Sequence, residues 1–311
     1  MSVTYHKEPR ALDTSDRLLQ LRRLTEPIEQ FPQNIKIMVV GTGSPNADIV
    51  AEALRSHGFQ ATWTDQVRFP NPFKLLRCDL IYGIYFQTCG RYVIAGKLFG
   101  KKTLIHFVGS DAYRIGREQA VWRRLHWLVI LRLTDLVLYV SPHLQSYVKR
   151  RGFVLPFPIA ASQFQSPQLR QIQPDRDVLY YCPGGARNSE IYRLSWIIDY
   201  AERHSEEKIT IIGNRSCPAE YKINLPNVIV VPYVDSREMS AFYRRHKKLI
   251  RMTTEDGLPR MLSEALLCGL QVIFNDKEVN EVPAERDPRE FARTFKRILE
   301  SCNLGLGGIP S

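Results

Sequence analysis

The residues from Arg251 to Phe274, RMTTEDGLPRMLSEALLCGLQVIF, hold the densest set of groups in this chain that could do chemistry. Thr253, Thr254, Glu255, Asp256, Gly257 and Pro259 make a polar, acidic, turn-forming loop. A helix is expected over Arg260–Cys268, with Met261, Leu262, Ala265 and Leu266 on one face. Gly269 suits the left-handed residue that ends a helix, and Gln271–Phe274 reads as a short apolar strand. Glu264 lies a turn or so inside the helix. The free amides and positive dipole end of a helix N-terminus attract phosphate. A carboxylate beside them can accept hydrogen bonds from sugar hydroxyls. Together these groups suggest a nucleotide-sugar site.

Other chemistry-bearing groups are more scattered. Gly41-Thr42-Gly43 follows the apolar run Ile35–Val40, as a dinucleotide-binding turn would, and Asp65 lies about twenty residues on. Asn46 stands where the third glycine of that fingerprint belongs, and a tight turn after a first strand wants glycine anyway. Asp175-Arg176-Asp177 imitates a metal-binding acidic triplet, but it precedes a strand instead of following one. It reads as solvated linker charge, and no metal is expected. The six cysteines show no CxxC pair or regular spacing, which fits buried free thiols in a reducing compartment.

Apolar runs alternating with helical patterns must position these groups. Strands are expected at Ile35–Val40, Gln60–Thr64, Asp79–Gly83, Thr103–Val108 and Leu136–Val140. Helices are expected at Asp48–His57, Gly90–Phe99 and Arg114–Leu133, with another from Ser141 to Arg151. Residues 154–177, rich in Pro, Gln and Ser, break the rhythm. It then restarts with strands at Val178–Cys182, Lys208–Ile212, Val228–Pro232 and Leu249–Met252. Helices follow at Ser189–Arg203, Ser236–His246 and Arg289–Ser301. The expected fold is α/β, with two Rossmann-like, doubly wound domains facing a cleft. The divisions are an arm (1–34), a first domain (35–158), a linker (159–177), a second domain (178–288), and a final helix and tail (289–311).

With the elements laid out, the chain resembles the GT-B glycosyltransferases of the retaining family 4 type. That family carries two carboxylates separated by seven intervening residues in its second domain. Asp256-Gly257-Leu258-Pro259, Glu264-Ala265 and Gly269-Leu270-Gln271-Val272 match the pattern, with Asp in place of the usual Glu. Arg251, Thr253, Asp256 and Gly257 match an R-x-T-x-x-D-G version found in a subset. Tyr180–Pro183 with Tyr192, Ile211-Ile212-Gly213, Pro226-Asn227-Val228 and His106-x-x-Gly109-Ser110-Asp111 fit other segments.

The resemblance implies a role for each matched residue. Glu264 would bind the donor's ribose hydroxyls. Asp256 would touch the transferred sugar, with the amides of Gly257 and Leu258 near the sugar or diphosphate. Arg251 and Gly213 would belong to the donor site. Arg187 would neutralise the leaving diphosphate, helped by Arg251, Arg215 or Arg260, because the family's partner lysine is missing from the Gly184–Arg187 loop. His106 would contact the donor sugar. Asp111 would position His106 or cap the following helix. Gly41, Thr42, Gly43 and Asp111 would belong to the acceptor side. The resemblance further implies retention of configuration, no cofactor beyond the nucleotide-sugar substrate, and a glycan, lipid-linked or protein hydroxyl as acceptor.

Charge adds a partner. Residues 1–160 hold 22 Lys and Arg against 12 Asp and Glu, whereas the rest hold 21 against 20. Within Arg114–Arg151, Trp122, Leu125, Trp127, Val129 and Ile130 accompany Arg123, Arg124 and Arg132. Such a helix either lies on an anionic membrane or packs as a core helix with a basic outer face. The polar N-terminus lacks a signal-peptide core, and no apolar run is long enough to span a bilayer, so a cytoplasmic location is expected. Two rival readings are an NAD(P)-dependent oxidoreductase using the Gly41 loop and a non-catalytic nucleic-acid-binding protein. The dispersed basic residues and the lack of a nucleic-acid motif disfavour the latter.

Overall fold

Runs of β-branched and aromatic residues, each stopped by a polar turn, become the strands of two sheets. The computed structural model describes residues 35–41, 46–65, 70–118, 120–255, 257, 259–302 and 304. The expected arm (1–34) and the tail after Leu304 lie outside the described residues. The first sheet contains β1 (Lys36–Val40), β2 (Gln60–Thr64), β3 (Leu80–Ile84), β4 (Lys102–Phe107), β5 (Leu136–Tyr139) and β6 (Phe153–Val154). Its order is β2-β1-β3-β4-β5-β6, and every neighbouring pair is parallel. The crossovers carry α1 (Asn46–Arg55), α2 (Pro72–Leu76), α3 (Phe86–Leu98), α4 (Ser110–Arg117), α5 (Val121–Leu133) and α6 (Leu144–Val148). All five residues of β3 are buried, as helices on both faces require.

The second sheet contains β7 (Arg176–Tyr181), β8 (Ile209–Ile212), β9 (Val228–Val231), β10 (His246–Arg251), β11 (Gln271–Phe274) and β12 (Lys277–Val279). Its order is β12-β11-β10-β7-β8-β9, parallel except for the β11–β12 hairpin. Asn275 and Asp276 make that hairpin's turn with φ of 46° and 62°, a conformation these short polar side chains tolerate. Its helices are α7 (Ala186–Ile191), α8 (Leu194–Arg203), α9 (Met239–Arg244) and α10 (Arg260–Leu267). In each sheet the strand order reverses once, between β1 and β3 and between β7 and β10. Ligands of doubly wound sheets sit outside the carboxyl ends of the strands at that reversal.

The last helix, α11 (Pro288–Ser301), returns to the first domain. Asp287 caps it by accepting from the amides of Arg289 (2.7 Å) and Glu290 (3.3 Å), and Pro288 fills its first turn. Phe291, Phe295, Ile298 and Leu299 are buried with Ile37, Val39, Leu54 and Tyr82 in one apolar cluster. Phe295 stacks on Tyr82 at 5.4 Å and meets Phe59 edge-on at 5.8 Å.

Several boundaries differ from the pattern reading. The helix expected over Arg114–Leu133 is two helices, because Glu118 turns extended and its carboxylate accepts from the Ala120 amide at 3.0 Å. The helix expected over Ser189–Arg203 breaks at Arg193, which is left-handed. That break lets the Tyr180 hydroxyl donate to the Tyr192 carbonyl at 2.6 Å. The helix expected to end at His246 stops at Arg244, and His246 begins β10. The helix expected to reach Arg151 stops at Val148 before a left-handed Lys149. The proline-rich connection is packed, not loose: Ile159 and Phe164 are buried, and the Ile159 amide donates to the Arg286 carbonyl at 2.7 Å. All six cysteines are free thiols; Cys78, Cys89, Cys182 and Cys268 are buried, while Cys217 and Cys302 are half-buried.

Since α11 closes the first domain's core, Phe295→Ala should cost about 3–5 kcal/mol of unfolding free energy by urea titration. An exposed-helix control, Arg293→Ala, should change it by no more than about 0.5 kcal/mol.

Candidate functional site

The loops after β7 and β10 border the second sheet's reversal point. Arg251 ends β10 and is buried, with its guanidinium 4.3 Å from the Tyr181 ring and 5.0 Å from that of Tyr192. Its Nη1 also donates to Met261 Sδ at 2.9 Å. Arg187 lies in the first turn of α7, after Gly184-Gly185, and is largely exposed. A side chain at Gly184 would place its Cβ 2.1 Å from the Pro218 carbonyl oxygen, and Gly185 has φ of 98°, so this loop needs both glycines. The loop after β10 is fixed by its backbone. The Thr253 amide donates to Asn275 Oδ1 at 2.8 Å, and the Thr254 amide donates to the Ile191 carbonyl at 3.0 Å.

This loop also meets the first domain. At Gly257 a Cβ would lie 2.1 Å from Ser141 Oγ and 2.3 Å from His143 Cε1, so only glycine allows the approach. Ser141 Oγ and His143 Nδ1 are 2.8 Å apart, and the Tyr113 hydroxyl is 2.9 Å from His143 Nε2. Arg117, the last residue of α4, pairs with Glu255 at 2.6 Å. Arg187 lies 3.9 Å from the other carboxylate oxygen of Glu255. Arg260 reaches across from α10 to Asn46 Oδ1 at 3.2 Å. Residues of the loop after β10 and of α10 therefore touch the starts or ends of three first-domain segments.

The sequence candidates fall into distinct groups. Arg187, Gly257 and Arg251 come together around the reversal point. Asp256, Leu258, Thr42 and Gly43 lie outside the described residues. Gly41 follows β1 at the first sheet's reversal, where a Cβ would be 2.8 Å from the Ala47 Cβ. Gly213 ends β8, where a Cβ would lie 2.2 Å from the Ala219 amide nitrogen, so close backbone packing explains this glycine.

Glu264 is buried, and both oxygens are engaged. Arg260 Nε donates to Oε1 at 2.5 Å, and the Tyr243 hydroxyl donates to Oε2 at 2.9 Å. It is not a solvated helix carboxylate. Each oxygen accepts one hydrogen bond here and has a second acceptor site.

His106 does not face the cleft. It is fully buried on β4, with Nδ1 2.7 Å from the Tyr82 hydroxyl and its ring 4.5 Å from that of Phe157. Burial pulls its pKa down to about 3, outweighing a hydrogen bond with the Leu155 main chain. It is a neutral core histidine and cannot touch a sugar in this arrangement. Nor does Asp111 position it. Asp111 accepts from the amides of Val108 (3.0 Å), Gly109 (2.9 Å), Ala112 (3.0 Å) and Phe86 (3.1 Å). It thereby ties the β4–α4 turn to the start of α3. Burial raises its pKa despite those four amides.

The Asp175-Arg176-Asp177 acids have structural partners. Asp175 pairs with Arg245 at 2.5 Å, which holds its carboxyl below the ordinary value. Asp177 pairs with Lys247 at 2.7 Å and accepts from the Lys208 amide at 2.9 Å.

Sequence reasoning missed Arg117, His143 and the pairing role of Glu255, and took Ser141 only as part of a strand-to-helix match. The position of Ser141 just beyond the carboxyl end of a strand was the available signal. Tyr85, at φ of 67° after β3, adds a strained non-glycine residue beside the first sheet's reversal.

No family model and no curated protein matches the chain in sequence. Solved structures match its fold. Sucrose-phosphate synthase from Thermosynechococcus elongatus superposes with a TM-score of 0.54 at 14% identity, covering 86% of this chain and 90% of that one. HepE from Anabaena, in complex with UDP-glucose, gives 0.55 at 14% identity over 86% and 90%. UDP-N-acetylglucosamine 2-epimerase from Rickettsia bellii gives 0.51 at 9% identity over 87% and 98%. The fold is the two-domain GT-B arrangement.

Because His106 is held neutral, the stability it contributes is complete above its unfolded pKa of about 6.5 and is lost as pH falls toward about 3. Across that window His106→Gln should flatten the dependence of unfolding free energy on pH by about 1.4 kcal/mol per unit. Urea titrations at several pH values measure the slope, and parallel curves for the two proteins would contradict the assignment.

Proposed function

We propose that this chain is a glycosyltransferase that moves a sugar from a nucleoside-diphosphate donor to a hydroxyl acceptor. The observation that carries the reading is the group of arginines beside the second sheet's reversal point, where the first domain meets it. Arg187 and Arg117 reach Glu255 there from opposite domains, and Arg251 lies buried at the end of β10. Departure of a nucleoside diphosphate concentrates negative charge, and cations fixed in place lower that barrier. A metal is not needed for that task, and we propose a metal-independent, retaining, hexosyl-type transfer. The UDP-glucose complex of HepE, which has the same fold, supports a nucleotide sugar as the ligand class. In this reading Asp256 and the Gly257-Leu258 amides face the transferred sugar, and Gly213 borders the donor pocket. The Gly41–Gly43 loop belongs to the acceptor side, and the acceptor is a glycan, a lipid-linked sugar or a protein hydroxyl.

Thermal shifts against UDP-, GDP-, ADP- and dTDP-sugars, with NAD(P)H as control, test the reading. One nucleotide sugar should raise the melting temperature and NAD(P)H should not. Release of nucleoside diphosphate should then depend on an acceptor and be accompanied by a new glycoside. Epimerised donor, or stabilisation by NAD(P)H alone, would overturn the reading.

The surface of α5 adds a location to the proposal. Val121, Trp122, Leu125, Leu128 and Val129 are exposed along one stripe, while Ile130 and Leu131 face the core. The outward face is therefore apolar as well as basic, with Arg123, Arg124 and Arg132 beside the stripe. That combination suits the headgroup boundary of an anionic bilayer. Among the described residues no helix is long and apolar enough to cross a membrane. We propose peripheral attachment on the cytoplasmic face. Trp122→Glu with Leu125→Glu should lower sedimentation with phosphatidylserine vesicles by about tenfold or more. Equal binding by the variant would contradict this attachment.

A further inference from the structure

We propose that Glu255 is an internal stand-in for the donor diphosphate, and that Arg117, from the first domain, is the second cation of the diphosphate site. This rests on the nucleotide-sugar reading of the same group of arginines. Arg117 Nη1 lies 2.6 Å from Glu255 Oε1, and Arg187 Nη2 lies 3.9 Å from Glu255 Oε2. The carboxylate side chain is 13% exposed, while the arginine side chains are 52% and 64% exposed. One carboxylate is thus enclosed between two cations that reach it from the solvent side and from opposite domains.

Placement and charge both favour exchange with a diphosphate. Arg187 follows β7 and Glu255 follows β10, so their meeting point lies over the reversal where phosphate groups of ligands sit. Among the described residues two guanidinium groups meet at this one carboxylate. A diphosphate offers more negative charge and more acceptor oxygens than a single carboxylate does. The backbone around Glu255 is held by the Thr253–Asn275 and Thr254–Ile191 hydrogen bonds, so rotation of one side chain suffices to release both arginines. Arg117 also lies against the Tyr113 ring at 5.8 Å, which steadies its stem on the first domain. Arg117 supplies the partner cation that the Gly184–Arg187 loop lacks.

Glu255 then works as a latch. It keeps the arginines paired and the domains in contact, yields to the donor diphosphate, and competes again for the arginines as the product leaves. Calorimetric titration of the full chain with UDP, GDP, ADP, dTDP, inorganic pyrophosphate and uridine tests this at low salt. Arg117→Ala should weaken UDP and pyrophosphate by about tenfold and leave uridine unchanged. Glu255→Gln should tighten UDP and pyrophosphate by about threefold or more, an opposite sign that a damaged fold cannot produce. If the wild type binds UDP but neither variant changes the ratio of UDP to uridine affinity, the latch is wrong and the nucleotide-sugar reading stands. If the wild type binds none of UDP, GDP, ADP, dTDP and pyrophosphate, both fall.

Discussion

The missing side chain of Gly257 sets the distance between the two domains. A single Cβ there would overlap Ser141 and His143, so the loop after β10 can seat on the first domain only with glycine. That seat brings Glu255 within reach of Arg117 and places Arg260 beside Asn46. The opposing surface is itself prepared, because His143 is held between the Ser141 hydroxyl and that of Tyr113.

Two further features keep the contact in register. The α11 helix crosses back and buries Phe291 and Phe295 in the first domain's core, so the stretch after the second sheet is tied to the first. The connection between domains is also packed, through Ile159 and the Arg286 main chain. A bridge buried at both ends limits how far the domains separate, whereas the Arg117–Glu255 and Arg260–Asn46 contacts are side-chain contacts that are only partly buried. Stability is concentrated away from the cleft, and the cleft keeps weak, partly exposed ion pairs.

Strands were the most legible part of the sequence. Buried parallel strands are continuous apolar runs, and Gln60–Thr64 and Gln271–Phe274 match the pattern reading end to end. Helix continuity was less legible, because breaks at Glu118 and Arg193 come from one side-chain hydrogen bond and one left-handed residue. Of the site, the loop after β10 stood out through its composition, and Arg187 through its glycine-rich setting. His106 misled because a histidine next to a Gly-Ser-Asp turn looks the same whether its ring faces the cleft or Phe157. The face is decided by strand register and by what covers the sheet. Glu264 was placed on the correct helix, but its partner Tyr243 comes from α9, which no local spacing reveals. Arg117 lies 138 positions before Glu255, and only the meeting of two sheets' loop ends makes them neighbours.

The most direct measurement is a crystal structure of the protein with UDP-glucose. The diphosphate should lie between the loops after β7 and β10, within hydrogen-bonding distance of the Arg187 guanidinium, with the sugar turned toward Gly257 and the first domain. A nucleotide bound instead at the first sheet's reversal, against Gly41, would contradict the assignment of the donor site.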